Sequence, residues 1–165
     1  MNRRKWSILT FIAVVCLLAA GGGVYSLLSE AGADPVQNRL RLGTAQPAQY
    51  LQGTETVTLD QLELTLGYQS YPDGYISIPN HSETLWKRPV KLPAGEGQLI
   101  KFVQGGSAVF PAPDTTYFWA CIQRPALKAG GDPVTYYLEA KVLGGDEDAA
   151  EESLLQLAEN WEVPE

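Results

Sequence analysis

The chain has 165 residues, 12 of them basic and 19 acidic, with a net charge of −7. All nineteen acids but only nine of the basic residues follow Leu28, so the part beyond it carries −10. That balance argues against nucleic acid or an anionic lipid surface as a partner, since either needs a clustered basic face. The length suits one domain with one core, and an aromatic content of 10% suits packing rather than disorder.

In residues 1–28, Arg3, Arg4 and Lys5 precede an uncharged apolar run interrupted by Ser7, Thr10, Gly21, Gly22, Gly23 and Ser26. A hydrocarbon core of about 30 Å takes roughly 20 helical residues, and cations on the short leading flank hold that end in the cytoplasm. The expectation is a signal anchor over 1–28: a single-pass transmembrane helix with its N-terminus cytoplasmic and the C-terminal domain extracytoplasmic. The alternative is a secretory signal, which ends at a small-x-small site. Ala31-Gly32-Ala33 fits one, so cleavage near Ala33 would release the rest. Cys16 follows Ala13, Val14 and Val15, without the Leu and small residue that lipid attachment requires, and reads as a membrane-facing hydrophobe. Beyond the membrane only Cys121 remains, so no intrachain disulfide forms in the exported domain.

Residues 29–52 are polar, rich in Gly, Ala, Pro and Gln, and read as a juxtamembrane linker. Within them Arg39 and Arg41 alternate with Leu40 and Leu42, compatible with a short strand or a helical turn. The exported domain is expected over 53–165. Val57 and Leu59 alternate with polar residues, then Leu62, Leu64, Leu66 and Tyr68 do so in the opposite phase. A parity change around Asp60-Gln61 predicts two half-buried strands joined by a turn or bulge. Tyr71-Pro72-Asp73-Gly74 is a turn, with Pro fixing φ and Gly accepting positive φ. Residues 75–78 read as the next strand and 80–97 as the longest irregular stretch. Strands are expected at 98–103, 107–110, 116–123 and 134–143. Ala150, Leu154, Leu157, Ala158 and Trp161 then share one helical face. Asp148 with Glu151 gives a capping-box-like start, and Pro164 closes the helix. The fold class is α+β, an antiparallel sheet of six or seven strands with a C-terminal helix packed on it.

Gly74-Tyr75-Ile76-Ser77-Ile78-Pro79, a Trp-containing segment after it, a series of strands and a closing Ala-Glu-Glu-x-Leu-Leu helix ending in Trp161 resemble the PsbP/Mog1/LpqN-like superfamily over about residues 62–163. The resemblance implies an α/β/α sandwich with further helices. It also implies a binding or assembly role without catalysis.

Few residues carry chemistry of their own. Cys121, His81 and Arg124 are the set available for nucleophilic catalysis and resemble the Cys-His-Arg set of sortase transpeptidases. The Thr-Leu-x-Thr-Cys motif is absent, the local run being Tyr117-Phe118-Trp119-Ala120-Cys121. A mid-strand thiol among aromatic and aliphatic neighbours favours core packing. One His and one Cys do not make a zinc site. Asp146, Glu147, Asp148, Glu151 and Glu152 lack the spacing of a calcium loop and suit a helix start instead. No metal and no cofactor are expected. Trp86-Lys87-Arg88 sets an aromatic beside two cations and is the candidate binding element, directed at an envelope protein or glycan. The competing reading folds Trp86 into the core and pairs Lys87 and Arg88 with nearby acids. The resulting expectation is a membrane-anchored, extracytoplasmic, non-catalytic binding or assembly protein of a bacterial cell envelope. A sortase-like cysteine transpeptidase is the alternative.

Overall fold

Alternation builds most of the domain. The computed structural model describes residues 38–165 apart from 45, 54, 108, 110 and 127. The signal anchor expected at 1–28 and the cleavage motif at 31–33 lie outside the described residues. Among the described residues no helix is long and apolar enough to cross a membrane.

Among the described residues nine strands form two antiparallel sheets: β1 (Arg39–Leu42), β2 (Gln49–Gln52), β3 (Thr56–Leu59), β4 (Leu62–Ser70), β5 (Ser82–Leu92), β6 (Gly95–Gln104), β7 (Thr115–Arg124), β8 (Val134–Val142) and β9 (Trp161–Glu162). The larger sheet has the order β3-β4-β8-β7-β6-β5, and the smaller has the order β2-β1-β9. Helix α1 (Glu147–Ala158) packs against β7, β8 and β1. The α+β architecture, mostly antiparallel sheet with one C-terminal helix, is therefore as expected.

The parity change at Asp60-Gln61 is a two-residue hairpin turn between β3 and β4, with Leu59 opposite Leu62 and Asp60 at φ 52°. Because successive side chains point to opposite faces, register sorts the large sheet into two. On one face lie Leu62, Leu64, Leu66, Leu99, Phe118, Ala120, Ile122, Tyr136, Leu138 and Ala140, all buried. Ala150, Leu154 and Ala158 of α1 cover this face, as do Leu40, Leu51 and Trp161 of the small sheet. Ion pairs seal its rim. Lys101 Nζ lies 2.6 Å from Glu147 Oε2, Thr116 Oγ1 donates to Glu147 Oε1 at 2.7 Å, and Arg88 pairs with Glu151. The Lys101 and Thr116 hydrogen bonds hold the Glu147 carboxyl below its ordinary pKa.

Several expectations change. Residues 38–52, read as linker, contribute β1 and β2, because Leu40 faces Leu51 and Trp161 across the small sheet and the three bury together. Residues 80–97 are not a loop. They hold β5, an eleven-residue edge strand paired with β6 through a bulge between Thr84 and Trp86. Its polar composition and Pro89 concealed it, yet both are what an exposed edge tolerates. Residues 75–78 alternate as a strand does but join no ladder. Ser107 and Val109 are outside any strand. The helix cap is Asp146, whose side chain accepts from Asp148 N at 2.9 Å, two positions before the expected start. Trp161 belongs to β9 rather than to the helical face. The second helical layer implied by the α/β/α resemblance is not present among the described residues, where the opposite face of the sheet carries an extended segment instead.

Candidate binding site

That opposite face is built from the other parity of the same strands. β7 contributes Tyr117, Trp119, Cys121 and Gln123, and β8 contributes Thr135, Tyr137, Glu139 and Lys141. Ile100 and Phe102 of β6 lie beside them, and Glu63 and Gly67 of β4 lie beyond β8. Three strands, β8, β7 and β6, lie between β4 and β5 in the sheet order, so the chain joining them must cross a face of the sheet, and it crosses this one. Residues 71–81 do so as a strap. Ile76 and Ile78 pack against the buried cluster of Ile100, Phe102, Trp119 and Cys121.

Polar ties fix the strap along its course. It begins in a 3-10 turn, Pro72–Gly74, with Asp73 and Gly74 both at positive φ. Gln123 Nε2 donates to Gly74 O at 2.9 Å, and Ser77 N donates to Gln69 Oε1 at 3.0 Å. At the far end Gln104 Nε2 donates to Asn80 O at 3.3 Å, and Gly105 N to His81 O at 3.1 Å. A Cβ on Gly74 would run into the Gln123 amide, so the turn requires glycine for both its φ and its close approach.

Beneath the strap the aromatics interlock. Trp119 stacks on Tyr137 at 4.3 Å between centroids and meets Phe102 edge-on at 5.4 Å, while Phe102 stacks on Tyr117 at 5.2 Å. Tyr137 has room because its cross-strand partner is Gly67, where any Cβ would strike the phenol ring. Trp119 Nε1 donates to Glu139 Oε2 at 2.5 Å. Lys141 Nζ sits 3.1 Å from Glu63 Oε1. Burial pushes the Glu139 carboxyl above its ordinary pKa, with the Trp119 hydrogen bond acting the other way.

Two cavities flank the strap. One, of about 420 Å³, opens between residues 77–80 and the Trp119-Tyr137-Glu139 floor, with Gln69 and Tyr71 as its walls. The other, of about 330 Å³, lies above Cys121 and Gln123, with Lys87, Glu96 and Gln98 at its rim. The first joins aromatic edges, amides and one half-buried carboxylate, a lining suited to holding a polar ligand by contact.

The residues singled out from sequence are distributed over both faces. Trp86 is half-buried on the helix side, 6.1 Å from Phe118, with the Arg88 guanidinium 4.9 Å from its ring centroid. Lys87 projects to the strapped side and reaches the smaller cavity. The three adjacent residues therefore do not form one recognition surface. Trp86 and Arg88 follow the competing reading, a core-lining ring and a cation paired with an acid.

Cys121, His81 and Arg124 are likewise not brought together. Arg124 shares the parity of Ile122 and turns to the helix side, donating to Pro164 O at 2.8 Å and Ala94 O at 2.7 Å. His81 lies by Gln104 and Cys121 opposite Gln98, six residues apart along β6, or about 20 Å. Cys121 is 2% exposed, and burial pushes its thiol up to about 12, with Lys87 pulling weakly downward. In a Cys16→Ser background at about pH 8, iodoacetamide should modify Cys121 more than about a hundredfold slower in the native chain than in urea, because access requires opening of the core. Equal rates would contradict this packing. Among the described residues no group of three or more His, Cys, Asp or Glu is arranged to hold a metal.

Glu139 and Gln69 were not singled out from sequence. The available signal was a glutamate inside an apolar strand, in phase with Tyr137, but phase alone does not reveal what crosses above it. Because the fold favours the protonated form of Glu139, its contribution to stability is present below the unfolded pKa and is lost as pH rises through the folded one. Glu139→Gln is therefore expected to stabilise the chain at neutral pH and leave it nearly unchanged at about pH 4. Urea midpoints at the two pH values check this.

Comparison with family models, curated proteins and solved structures finds no match to this chain.

Proposed function

We propose that this is a membrane-anchored, extracytoplasmic binding or assembly component of a bacterial cell envelope, acting by contact and without catalysis of its own. The basic-flanked apolar run over 1–28 supports the anchoring and the orientation. One observation carries the binding reading: the strap across the sheet leaves a cavity of about 420 Å³ lined by aromatic rings, amides and the half-buried Glu139. The separation of Cys121, His81 and Arg124, and a thiol held protonated, support a role without nucleophilic chemistry. The resemblance of the strap and the closing helix to PsbP/Mog1/LpqN-like domains implies the same kind of role. The envelope partner or glycan is proposed to approach the strapped face, where Lys87 adds a cation beside the smaller cavity.

Photo-crosslinking in intact cells tests the reading. A benzoylphenylalanine at Tyr71, on the cavity wall, is expected to yield discrete adducts, and one at exposed Lys128 none. If both positions give the same adducts, or neither gives any, the strapped face is not a contact surface.

A further inference from the structure

The larger cavity makes two opposite demands on whatever fills it. Glu139 is a half-buried carboxylate whose hydrogen-bond donor is Trp119 Nε1 on Oε2, which leaves Oε1 able to accept. The cation nearest in register, Lys141, is bonded to Glu63 instead, so this patch of the sheet holds two carboxylates and one lysine. Gln69 presents the reverse case. Its Oε1 is taken by Ser77 N, while its buried Nε2 has no hydrogen-bond partner. A buried donor left without an acceptor is costly, so a ligand oxygen there would be favoured.

Resting on the binding reading above, we infer that the cavity between the strap and the Trp119-Tyr137-Glu139 floor receives an organic cation, an ammonium or guanidinium head group that also carries an oxygen acceptor. The cation answers Glu139 and the oxygen answers Gln69 Nε2, with Tyr71 and Tyr137 lining the same cavity. A neutral sugar would satisfy Gln69 but leave Glu139 without a cation. An anion would meet the carboxylate in a domain that already carries −10. Burial pulls the Glu139 carboxyl upward, the Trp119 hydrogen bond and then Lys141 act the other way, and Lys141 itself is bonded to Glu63. Such a head group belongs either to a free small amine or to a lysine or arginine of a partner chain.

The test uses the full chain in detergent, labelled with 5-fluorotryptophan, with the Trp119 fluorine resonance assigned by its loss in Trp119→Phe. Nα-acetyl-lysine methylamide is expected to shift that resonance saturably. The neutral Nα,Nε-diacetyl analogue should bind at least about tenfold more weakly, and Glu139→Gln should lower the affinity of the cation by a similar factor. On the unmutated chain, affinity should fall as the pH is lowered and Glu139 gains its proton. The charged and titratable groups around it are Glu63 on β4, Lys141 and Tyr137 on β8, Tyr117 on β7 and Tyr71 on the strap. A hexapeptide with one central lysine that binds more tightly than 5-aminopentanamide, a free amine with an amide oxygen, assigns the head group to a partner chain, and the reverse order assigns it to a free amine. Equal shifts from the diacetyl compound, affinity independent of pH, or no shift from any cation at about 100 mM would each overturn the inference. Tyr71 adducts that persist in Glu139→Gln with no cation binding would sink the cation while leaving the contact surface standing.

Discussion

Trp161→Ala is expected to remove about 3–5 kcal/mol of stability, a large share of the roughly 5–15 kcal/mol that holds a domain of this kind together. The indole is 3% exposed and lies opposite Leu40 in the small sheet. Its Nε1 donates to Asn38 Oδ1 at 2.9 Å, and Asn38 Nδ2 donates to Gly67 O at 3.1 Å. Asn38, itself 3% exposed, thus links the C-terminal strand to β4, and losing the indole leaves its oxygen buried without a donor. With a urea slope of about 1–3 kcal/mol per M, the midpoint should fall by more than about 1 M. Arg39→Ala, which removes an exposed pair with Glu162, should leave the midpoint nearly unchanged. Equal effects from the two would mean that the small sheet does not cap the core.

Trp119→Ala should cost a similar amount, about 3–5 kcal/mol, and disable the site as well. The indole is 4% exposed, carries Tyr137 on its face and supplies the donor to Glu139. Trp119→Phe separates the two roles by keeping a ring while deleting the N–H. Without that donor the Glu139 carboxyl should rise further, since burial then acts unopposed by the bond. A raised carboxyl favours the folded state below the unfolded pKa and loses that advantage as pH rises. The gap between Trp119→Phe and the unmutated chain should therefore be wider at pH 7 than at about pH 4, read from urea midpoints. A gap independent of pH would show that the bond does not tune Glu139.

Much of the fold was legible because strands with one buried face write their period into the chain. Leu62 to Tyr68 and the strand from Val134 have that signature, the strand at Thr116 to Gln123 is instead an apolar run buried on both faces, and the parity slip at Asp60-Gln61 located a turn. Ala150, Leu154 and Ala158 marked the helix. β5 was hidden because an edge strand is wetted on one flank and tolerates Pro89, Lys87 and Arg88, the residues that also suggest a loop. Ile76 and Ile78 alternate like a strand, but they pack on a sheet face already complete in its hydrogen bonds. β1 was half legible: the alternation of Arg39 and Arg41 with Leu40 and Leu42 fitted a short strand or a helical turn, but four residues do not decide between them, and the burial of Leu40 depends on Trp161, 121 positions later.

The candidate site was less legible, because it arises from a crossing. Nothing local to Gln69, Tyr71 or Glu139 announces a cavity. The three meet only when the strap traverses β8, β7 and β6. Trp86, Lys87 and Arg88 drew attention through adjacency in sequence, yet strand alternation sends Lys87 to one face and its two neighbours to the other.

The central claim is that an exported module meets its partner outside the cytoplasmic membrane. Its most direct test is Lys128→Cys in a Cys16→Ser background, with Lys128 exposed and Cys121 buried. A membrane-impermeant maleimide is added to cells whose outer wall is opened but whose cytoplasmic membrane is intact. The account predicts modification equal to that in lysates. Modification in lysates alone would place the domain in the cytosol and contradict it.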